Sequence, residues 1–195
     1  NTVDDLLWLR QCGLEAALLR LAGKGTPVLG VCGGYQMLGQ TLDDSEGSES
    51  GRPQTRRGLG LLPTRTGFSQ HKRRAQVRAV VTAAPFAGAE LEAYEIHTGV
   101  TETEGEPFAR CPDGGREGCV QGNVFGTYLH GLFDTGALTE ALAGWLCRRR
   151  GIDSSDAALI PMEEYRRQQF DKLADGVRAA LDMDAVYAAM GMEKH

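Results

Sequence analysis

A single cysteine interrupts the run VLGVCGGYQMLG at Val28–Gly39. Cys32 follows Gly30 and precedes Gly33 and Gly34. A nucleophile on a tight strand-to-helix turn needs small neighbours, because the turn is strained and the substrate must come close. The start of the next helix favours the attacking thiolate, and the N–H of Gly33 lies where an oxyanion donor is expected. The spacing therefore predicts a nucleophilic thiol, with a buried core thiol as the alternative.

A catalytic thiol needs a base, and the chain contains four histidines. His71 lies in a basic cluster and His195 is the last residue, so both are predicted to be solvated. His130 ends an apolar run, and a histidine at the end of a strand is well placed to meet a ligand in an α/β sheet. His97 has similar surroundings and shares a strand face with Glu95. His130 and His97 are the two candidates, each with a structural histidine as the alternative.

Short elements are predicted to position the corner at Cys32. The apolar run at 27–32 indicates a buried parallel strand, and a helix is expected from Gly34 to about Leu42. Ahead of them, Asn1 or Thr2 can cap one helix that ends at the glycines before the strand. Residues 43–57 are polar and rich in glycine and serine, which predicts an exposed loop, with a linker as the alternative.

The rest of the chain alternates strand-like and helix-like segments. Strand-like segments are found at 75–82, 90–99, 107–111 and 123–131, and helices are predicted over 139–150, 161–181 and 182–190. This alternation predicts an α/β domain with some antiparallel strands in the middle. The basic cluster Lys72–Arg74 is interpreted as a solvated face, with a docking surface as the alternative.

Composition excludes several classes of function. A length of 195 residues suits one domain, and the net charge of −5 argues against nucleic acid or an anionic membrane as the main partner. No apolar run approaches the roughly 18 residues that a membrane span needs. Five cysteines without a CxxC pair argue against a zinc site and a disulfide framework. We therefore expect no metal site and a reducing, cytoplasmic setting.

Four ordered blocks resemble the class I, or triad-type, glutamine amidotransferases. The pattern G-x-C-x-G-x-Q is matched by Gly30, Cys32, Gly34 and Gln36. The blocks YEIHTG, GTYLHGLFD and FDKLADGVRAALDMD are similar to those of the cobyric acid synthase branch. The resemblance covers nearly the whole chain. It implies an α/β fold with a central, mostly parallel sheet flanked by helices and the nucleophile on a strand–turn–helix elbow.

The resemblance also implies a reaction. Cys32 would attack the side-chain amide of glutamine, giving a γ-glutamyl thioester and releasing ammonia. His130 would activate the thiol as a base and then protonate the departing amine as an acid.

Five further residues are implied to lie around the substrate. Gly33 would donate its N–H to the oxyanion, and Gly34 is the motif glycine that follows it. Gln36 would help to bind the glutamine. Glu95 and His97, in a block typical of this branch, would line the same pocket.

Three departures from the family pattern shape these expectations. Leu132 stands where many class I enzymes have a glutamate that orients the histidine, so the third catalytic member is absent or comes from elsewhere. The family places a strand and a glycine-containing oxyanion loop just before the position of Asn1, and the chain is expected to lack both. AGKGT at Ala22–Thr26 does not fit a phosphate loop, so no cofactor is assigned to this chain, and ATP and Mg²⁺ are expected on a separate synthetase domain.

In this branch, ammonia passes to an N-terminal ATP-dependent synthetase domain that acts on a corrinoid. The resemblance implies amidation of the b, d, e and g carboxylates of adenosylcobyrinic acid a,c-diamide to give cobyric acid in vitamin B12 biosynthesis. Other acceptors are alternatives, namely those of cobyrinic a,c-diamide synthase and of cell-wall lipid precursor amidation. A non-catalytic docking domain and a cysteine hydrolase are alternatives from other classes. The presence of both Cys32 and His130 speaks against the first, and the EIHTG block gives the second no support.

Overall fold

The structure, a computed structural model, describes residues 1–153, 160 and 162–192. Contacts divide the chain into the units Asn1–Ser154 and Ser155–His195. The helices of the first unit are α1 (Thr2–Gln11), α2 (Leu14–Gly23), α3 (Gly33–Leu38) and α4 (Ala137–Arg150). Its strands are β1 (Val28–Val31), β2 (Thr41–Asp44), β3 (Gln54–Arg57), β4 (Thr64–Val81), β5 (Glu90–Thr103), β6 (Ala109–Arg110), β7 (Arg116–Glu117), β8 (Cys119–Gln121) and β9 (Val124–Thr127).

The strands form two mixed sheets. The smaller sheet has the order β1–β9–β8, with β1 parallel to β9. The larger sheet has the order β3–β2–β4–β6–β7, and β5 pairs with β4. Among the described strands only β1–β9 and β2–β4 are parallel, so the expectation of a mostly parallel sheet needs correction. The reason is that short connections such as that between β4 and β5 allow only antiparallel pairing. The predicted α/β class is confirmed.

The single helix predicted at the start of the chain is two helices. Asn1 caps α1 as predicted, because its Oδ1 accepts the N–H of Asp4 at 2.9 Å. Gly13 then adopts a φ of 78°, which ends the first helix and starts the second in a new direction. Val3 and Leu6 of α1 are fully buried, so this helix contributes to the core.

Residues 43–57 are a hairpin connection in which β2 and β3 occupy the ends, and the predicted loop is confined to the residues between them. The end of β2 pairs with β3 in antiparallel register, and Asp44 in this segment is fully buried. The helix predicted to run into the segment ends at Leu38. It ends there because Gly39 is extended and packs on Gly58, where a Cβ would lie 2.1 Å from the Gly39 carbonyl oxygen.

Strand β9 is packed on both of its faces. Phe125 and the following Leu129 belong to one core cluster, whereas Val124 and the following Tyr128 belong to the other. Burying each large apolar side chain stabilises the fold by roughly 1.5–3 kcal/mol. Because His130 comes directly after these residues, the segment that carries it is held from both sides.

The second unit contains α5 (Met162–Ala180) and α6 (Met183–Ala189). Both helices were predicted, and Asp182 caps α6 by accepting the N–H of Ala185 at 3.1 Å. Pro161, where the longer helix was expected to begin, and His195 lie outside the described residues. Across the described ranges, no helix is both long and apolar enough to cross a membrane.

Candidate active site

Cys32 occupies the corner between β1 and α3. Its backbone has φ 54° and ψ −115°, and within the described ranges it is the one non-glycine residue with positive φ. Such a conformation costs about 1–3 kcal/mol and persists only where its surroundings enforce it. A Cβ on Gly30 would lie 2.5 Å from Leu38 Cδ1 and 2.8 Å from the backbone of Gly34, so strand and helix meet this closely only with glycine there. The predicted strand–turn–helix elbow is confirmed.

The Cys32 thiol is half-buried next to β5. Its Sγ lies 3.6 Å from the carbonyl oxygen of Ile96, to which the thiol can donate. Burial raises the pKa of the thiol, the N–H of Gly33 lowers it in part, and the charge of Glu49 raises it further. The expected preference for thiolate is therefore wrong for this resting structure, because desolvation outweighs the start of the short helix α3. The thiol needs a base before it can attack.

His130 lies at the same sheet edge as Cys32. The N–H of Cys32 donates to the Thr127 carbonyl at 2.9 Å, at the end of the parallel pair β1–β9, and His130 follows three residues later. The backbones of His130 and Tyr94 exchange hydrogen bonds of 2.8 and 3.2 Å, and their rings stack with centroids 5.1 Å apart. Nε2 of His130 is buried and has no hydrogen-bond partner in the described part of the chain. The nitrogen is therefore open to accept a proton, although it is not bonded to Sγ here.

Glu95 and His97 project from the face of β5 opposite to Tyr94, because side chains alternate along a strand. The carboxylate of Glu95 is 6% exposed and forms an ion pair with Arg73, whose side chain is largely exposed in the basic cluster of β4. The ring of His97 stacks on Tyr128 with centroids 3.6 Å apart. Burial lowers the pKa of His97, while the charge of Glu95 opposes that shift.

Glu95 and His97 line a cavity of about 680 Å³. The described residues that line it do not include Cys32 or His130. The resemblance implied that Glu95 and His97 line the pocket of the thiol; both line this cavity, and burial together with the charge of Cys32 raises the pKa of Tyr128, on which His97 stacks. The backbone of Ile96, between these two residues, is the part of β5 that contacts the thiol.

Gln36 is hydrogen-bonded at both ends of its side-chain amide. Its Oε1 accepts from Thr2 Oγ1 at 3.0 Å, and its Nε2 donates to the Thr98 carbonyl at 2.9 Å and to the Tyr128 hydroxyl at 3.1 Å. The residue is only 2% exposed. These contacts tie α1, β5 and the segment after β9 to α3. The geometry therefore favours a positioning role for Gln36 over the direct contact with glutamine that the resemblance implied.

Gly33 and Gly34 open α3 directly after the thiol. Although burial raises the pKa of the Cys32 thiol, the N–H of Gly33 lowers it in part, so a backbone donor lies close to the sulfur, where an oxyanion donor was expected. A Cβ on Gly33 would lie 3.1 Å from Thr2 Oγ1, a tight contact, whereas a Cβ on Gly34 would meet nothing within 4 Å. A side chain is therefore harder to accommodate at Gly33 than at Gly34.

Glu49 is a candidate that sequence reasoning missed. Its Oε1 accepts the N–H of Thr2 at 2.7 Å, and its Oε2 accepts from Thr98 Oγ1 at 3.1 Å. Its charge acts on the pKa of Cys32, so the carboxylate lies close to the thiol. The only sequence signal was the alternation of acidic residues with serine and glycine, which is equally typical of a solvated loop.

Asp44 holds the connection that presents Glu49. The carboxylate accepts the N–H groups of Glu49 at 3.0 Å and Ser50 at 2.8 Å, and also the Ser50 hydroxyl at 2.6 Å. Although burial acts to raise the pKa of Asp44, these hydrogen bonds lower it below its usual value. The buried carboxylate is therefore ionised near neutral pH and fixes the loop.

The remaining candidates make no catalytic cluster. His71 is exposed, as predicted. Cys12, Cys111, Cys119 and Cys147 are all unpaired thiols, and Cys12 is exposed. In the ranges that the structure describes, no group of three or more histidine, cysteine or acidic side chains is arranged to hold a metal ion.

Residues 1–138 match a family model described as a CobB/CobQ-like glutamine amidotransferase domain. The chain is 41% identical over 203 residues to the cobyric acid synthase of Klebsiella pneumoniae (strain 342), which covers 97% of this chain and 39% of that relative. It is also 41% identical over 208 residues to the cobyric acid synthase of Moorella thermoacetica, a match that covers 100% of this chain and 40% of that relative. The chain therefore spans about two fifths of the length of these curated relatives.

The fold is also similar to a solved structure described as a glutamine amidotransferase. The TM-score is 0.51 and the identity 18%, over 78% of this chain and 76% of that one. At this identity the likeness concerns the fold alone, and it agrees with the fold that the sequence resemblance implied.

Proposed function

The chain belongs to the CobB/CobQ-like glutamine amidotransferase family, and we propose that it hydrolyses glutamine at Cys32 to supply ammonia for amidation of a corrinoid. The observation that carries the proposal is the strained corner of Cys32, held by a hydrogen bond to the strand that leads to His130. A non-glycine residue held at positive φ suits nucleophilic catalysis, and so does a histidine nearby in the fold whose buried ring nitrogen has no hydrogen-bond partner in the described residues.

The proposed reaction begins with proton transfer from the Cys32 thiol to Nε2 of His130. Sγ attacks the side-chain carbonyl carbon of glutamine, and the N–H of Gly33 stabilises the oxyanion. His130 returns the proton to the amine as the carbon–nitrogen bond breaks, which releases ammonia and leaves a γ-glutamyl thioester. Water, activated by His130, then hydrolyses the thioester to glutamate.

Glu49 is proposed to bind the α-ammonium group of glutamine. It is a half-buried carboxylate close to the thiol, and its two present partners, Thr2 and Thr98, are neutral. A cation beside it would form charge-assisted hydrogen bonds, which are stronger than neutral ones. Gly33 and Glu49 would then recognise the two ends of the substrate.

The acceptor is proposed from the names of the relatives. Cobyric acid synthases match over nearly the whole chain, which favours a corrinoid over a cell-wall lipid precursor. The finer proposal is amidation of the b, d, e and g carboxylates of adenosylcobyrinic acid a,c-diamide. ATP and Mg²⁺ would act on a synthetase domain, the proposed partner of this chain, because the relatives are more than twice as long. A cytoplasmic location belongs to the same proposal.

Labelling with 6-diazo-5-oxo-L-norleucine, a glutamine-like alkylating agent, tests the site in the full-length protein. Mass spectrometry is expected to find one adduct, on Cys32, that glutamine suppresses and that is absent in His130→Ala. His71→Ala, a change at an exposed histidine, is the matched control and is expected to label normally. Labelling spread over several cysteines, or absent from Cys32, would contradict the proposal.

A further inference from the structure

A buried carboxylate lies behind the segment that carries His130. Glu117 ends β7 and is 5% exposed. Its Oε2 accepts from Thr127 Oγ1 at 2.7 Å, and its Oε1 accepts the N–H of Tyr128 at 2.7 Å. Thr127 Oγ1 in turn accepts the N–H of Leu129 at 3.0 Å. One carboxylate and one hydroxyl thus bind both N–H groups between β9 and the histidine.

Thr127 also connects this carboxylate to the nucleophile. Its carbonyl accepts the N–H of Cys32 at 2.9 Å, while its fully buried hydroxyl donates to Glu117. Beyond Leu129, the backbone of His130 pairs with β5. The segment is therefore fixed at one end by Glu117 and the corner, and at the other by β5.

The fold is adapted to bring Glu117 against β9. Gly118 has φ 68°, and a Cβ there would lie 2.3 Å from the Gly126 carbonyl oxygen and 2.8 Å from Phe108 Cβ. In the described ranges Glu117 forms no salt bridge, and its nearest partners are the donors of the segment before His130. A buried acid without a cation is costly, so packing alone does not explain why the chain has one here.

We infer that Glu117 is a positioning residue for glutamine hydrolysis, because its carboxyl group holds residues 127–129 through Thr127 and Tyr128 and thereby sets where His130 presents Nε2 to Cys32. The inference rests on the proposed function. Each oxygen of the carboxyl group meets a donor of that segment.

Steady-state glutamine hydrolysis by the full-length protein tests this role. In Glu117→Gln, kcat is expected to fall by about 10–100-fold, the range typical of residues that orient a functional group. The KM for glutamine is expected to stay within about twofold, because the residue acts on the base and contacts no substrate. Glu117 and the exposed Glu102 both line the cavity described for Glu95 and His97, so Glu102→Gln is the control and is expected to match the wild type.

Substitutions of Thr127 provide a second test, which does not depend on whether Glu117→Gln folds. Thr127→Val removes the hydroxyl and is expected to lower kcat to the same degree, whereas Thr127→Ser keeps the hydroxyl and restores most of the rate. The double variant Glu117→Gln/Thr127→Val should be no slower than either single variant, because both remove one interaction.

Two results would overturn the inference, and they are distinguishable. A wild-type protein that does not hydrolyse glutamine removes the proposed function, and the positioning role with it. An active wild type whose kcat is unchanged in Glu117→Gln, or whose KM rises as much as kcat falls, removes the positioning role alone. Circular dichroism of each variant verifies that the fold is retained.

Discussion

Two properties of Cys32 are unfavourable: its backbone conformation is strained, and its surroundings disfavour the thiolate. The positive φ costs about 1–3 kcal/mol in a residue with a Cβ, and a glycine there would relieve it. Burial, with the nearby charge of Glu49, also disfavours the thiolate. Packing needs neither feature, because a small apolar side chain would fill the same space. Both are explained if the thiol stays neutral until a substrate and His130 act on it together.

Glu117 makes the free energy of unfolding of the protein depend on pH. Burial raises its pKa from 4.5 to about 7, hydrogen bonds from Thr127 and Tyr128 oppose that shift, and the charge of Glu95 adds to it. The folded protein therefore binds this proton more tightly than the unfolded chain. The resulting stabilisation is fully present below about pH 4.5 and is lost as pH rises through about 7, by roughly 3 kcal/mol.

Urea unfolding between pH 4.5 and 8 measures this loss. The free energy of unfolding of the wild type is expected to fall over this range relative to that of Glu117→Gln, which has no proton to release. Tyr35, Tyr128 and Cys111, which face the carboxylate, have raised pKa values and titrate above the range. His97 and the ion pair of Glu95 with Arg73 are present in both proteins, so the difference retains only the coupling of Glu95 to the Glu117 charge. Parallel curves for the two proteins would show that Glu117 does not titrate in this window.

At the scale of elements, the approach of β1 to α3 defines the corner. Gly30→Ala would place a Cβ within 2.8 Å of the Gly34 backbone, which cannot rotate away as a side chain can. Overpacking of this kind is expected to destabilise the protein by about 1–3 kcal/mol and to displace the thiol from Gly33. Thermal unfolding and labelling of Cys32 by the glutamine-like alkylating agent measure the two effects.

Gly23→Ala is the matched control for that substitution. A Cβ on Gly23 in α2 would meet nothing within 4 Å, and alanine is the better helix former. We expect its unfolding temperature to equal or exceed that of the wild type, with normal labelling. If Gly30→Ala behaved like Gly23→Ala, the close approach of β1 and α3 would not be what holds the corner.

The elements that could be predicted from sequence are those with local causes. The corner at Cys32 could be predicted because glycine on both sides of a cysteine, after an apolar run, is a local pattern. The part of β4 before Ala75 escaped prediction. Its buried positions Thr64 and Thr66 are polar, and its residues near Arg73 are exposed and charged. The division of the first helix at Gly13 was also missed, since one glycine within an apolar pattern is compatible with a continuous helix.

The candidate site divides in the same way. Cys32 and His130 could be proposed from the sequence because each follows an apolar run, and strand ends meet at one sheet edge. Glu49 and Glu117 were not proposed from the sequence. The hydrogen-bond partners of Glu49 lie far from it along the chain, and those of Glu117 reach it only once β9 is packed in the core. Thr98, for example, lies 49 residues from Glu49.

At the scale of the whole molecule, the chain spans about two fifths of the length of its curated relatives, so ammonia release and amidation are proposed to lie in different parts of the protein. In that case, Cys32→Ser in the full-length protein should abolish amidation of the corrinoid with glutamine but leave it intact with an ammonium salt. The reason is that ammonia supplied from solution bypasses the thiol chemistry and leaves ATP-dependent activation of the carboxylate untouched. Product formation with each nitrogen source measures both rates, and Cys12→Ser, at an exposed cysteine, should keep both. Loss of both rates in Cys32→Ser would mean that the cysteine supports the fold or the acceptor site instead of glutamine hydrolysis, and the proposed division of labour would be wrong.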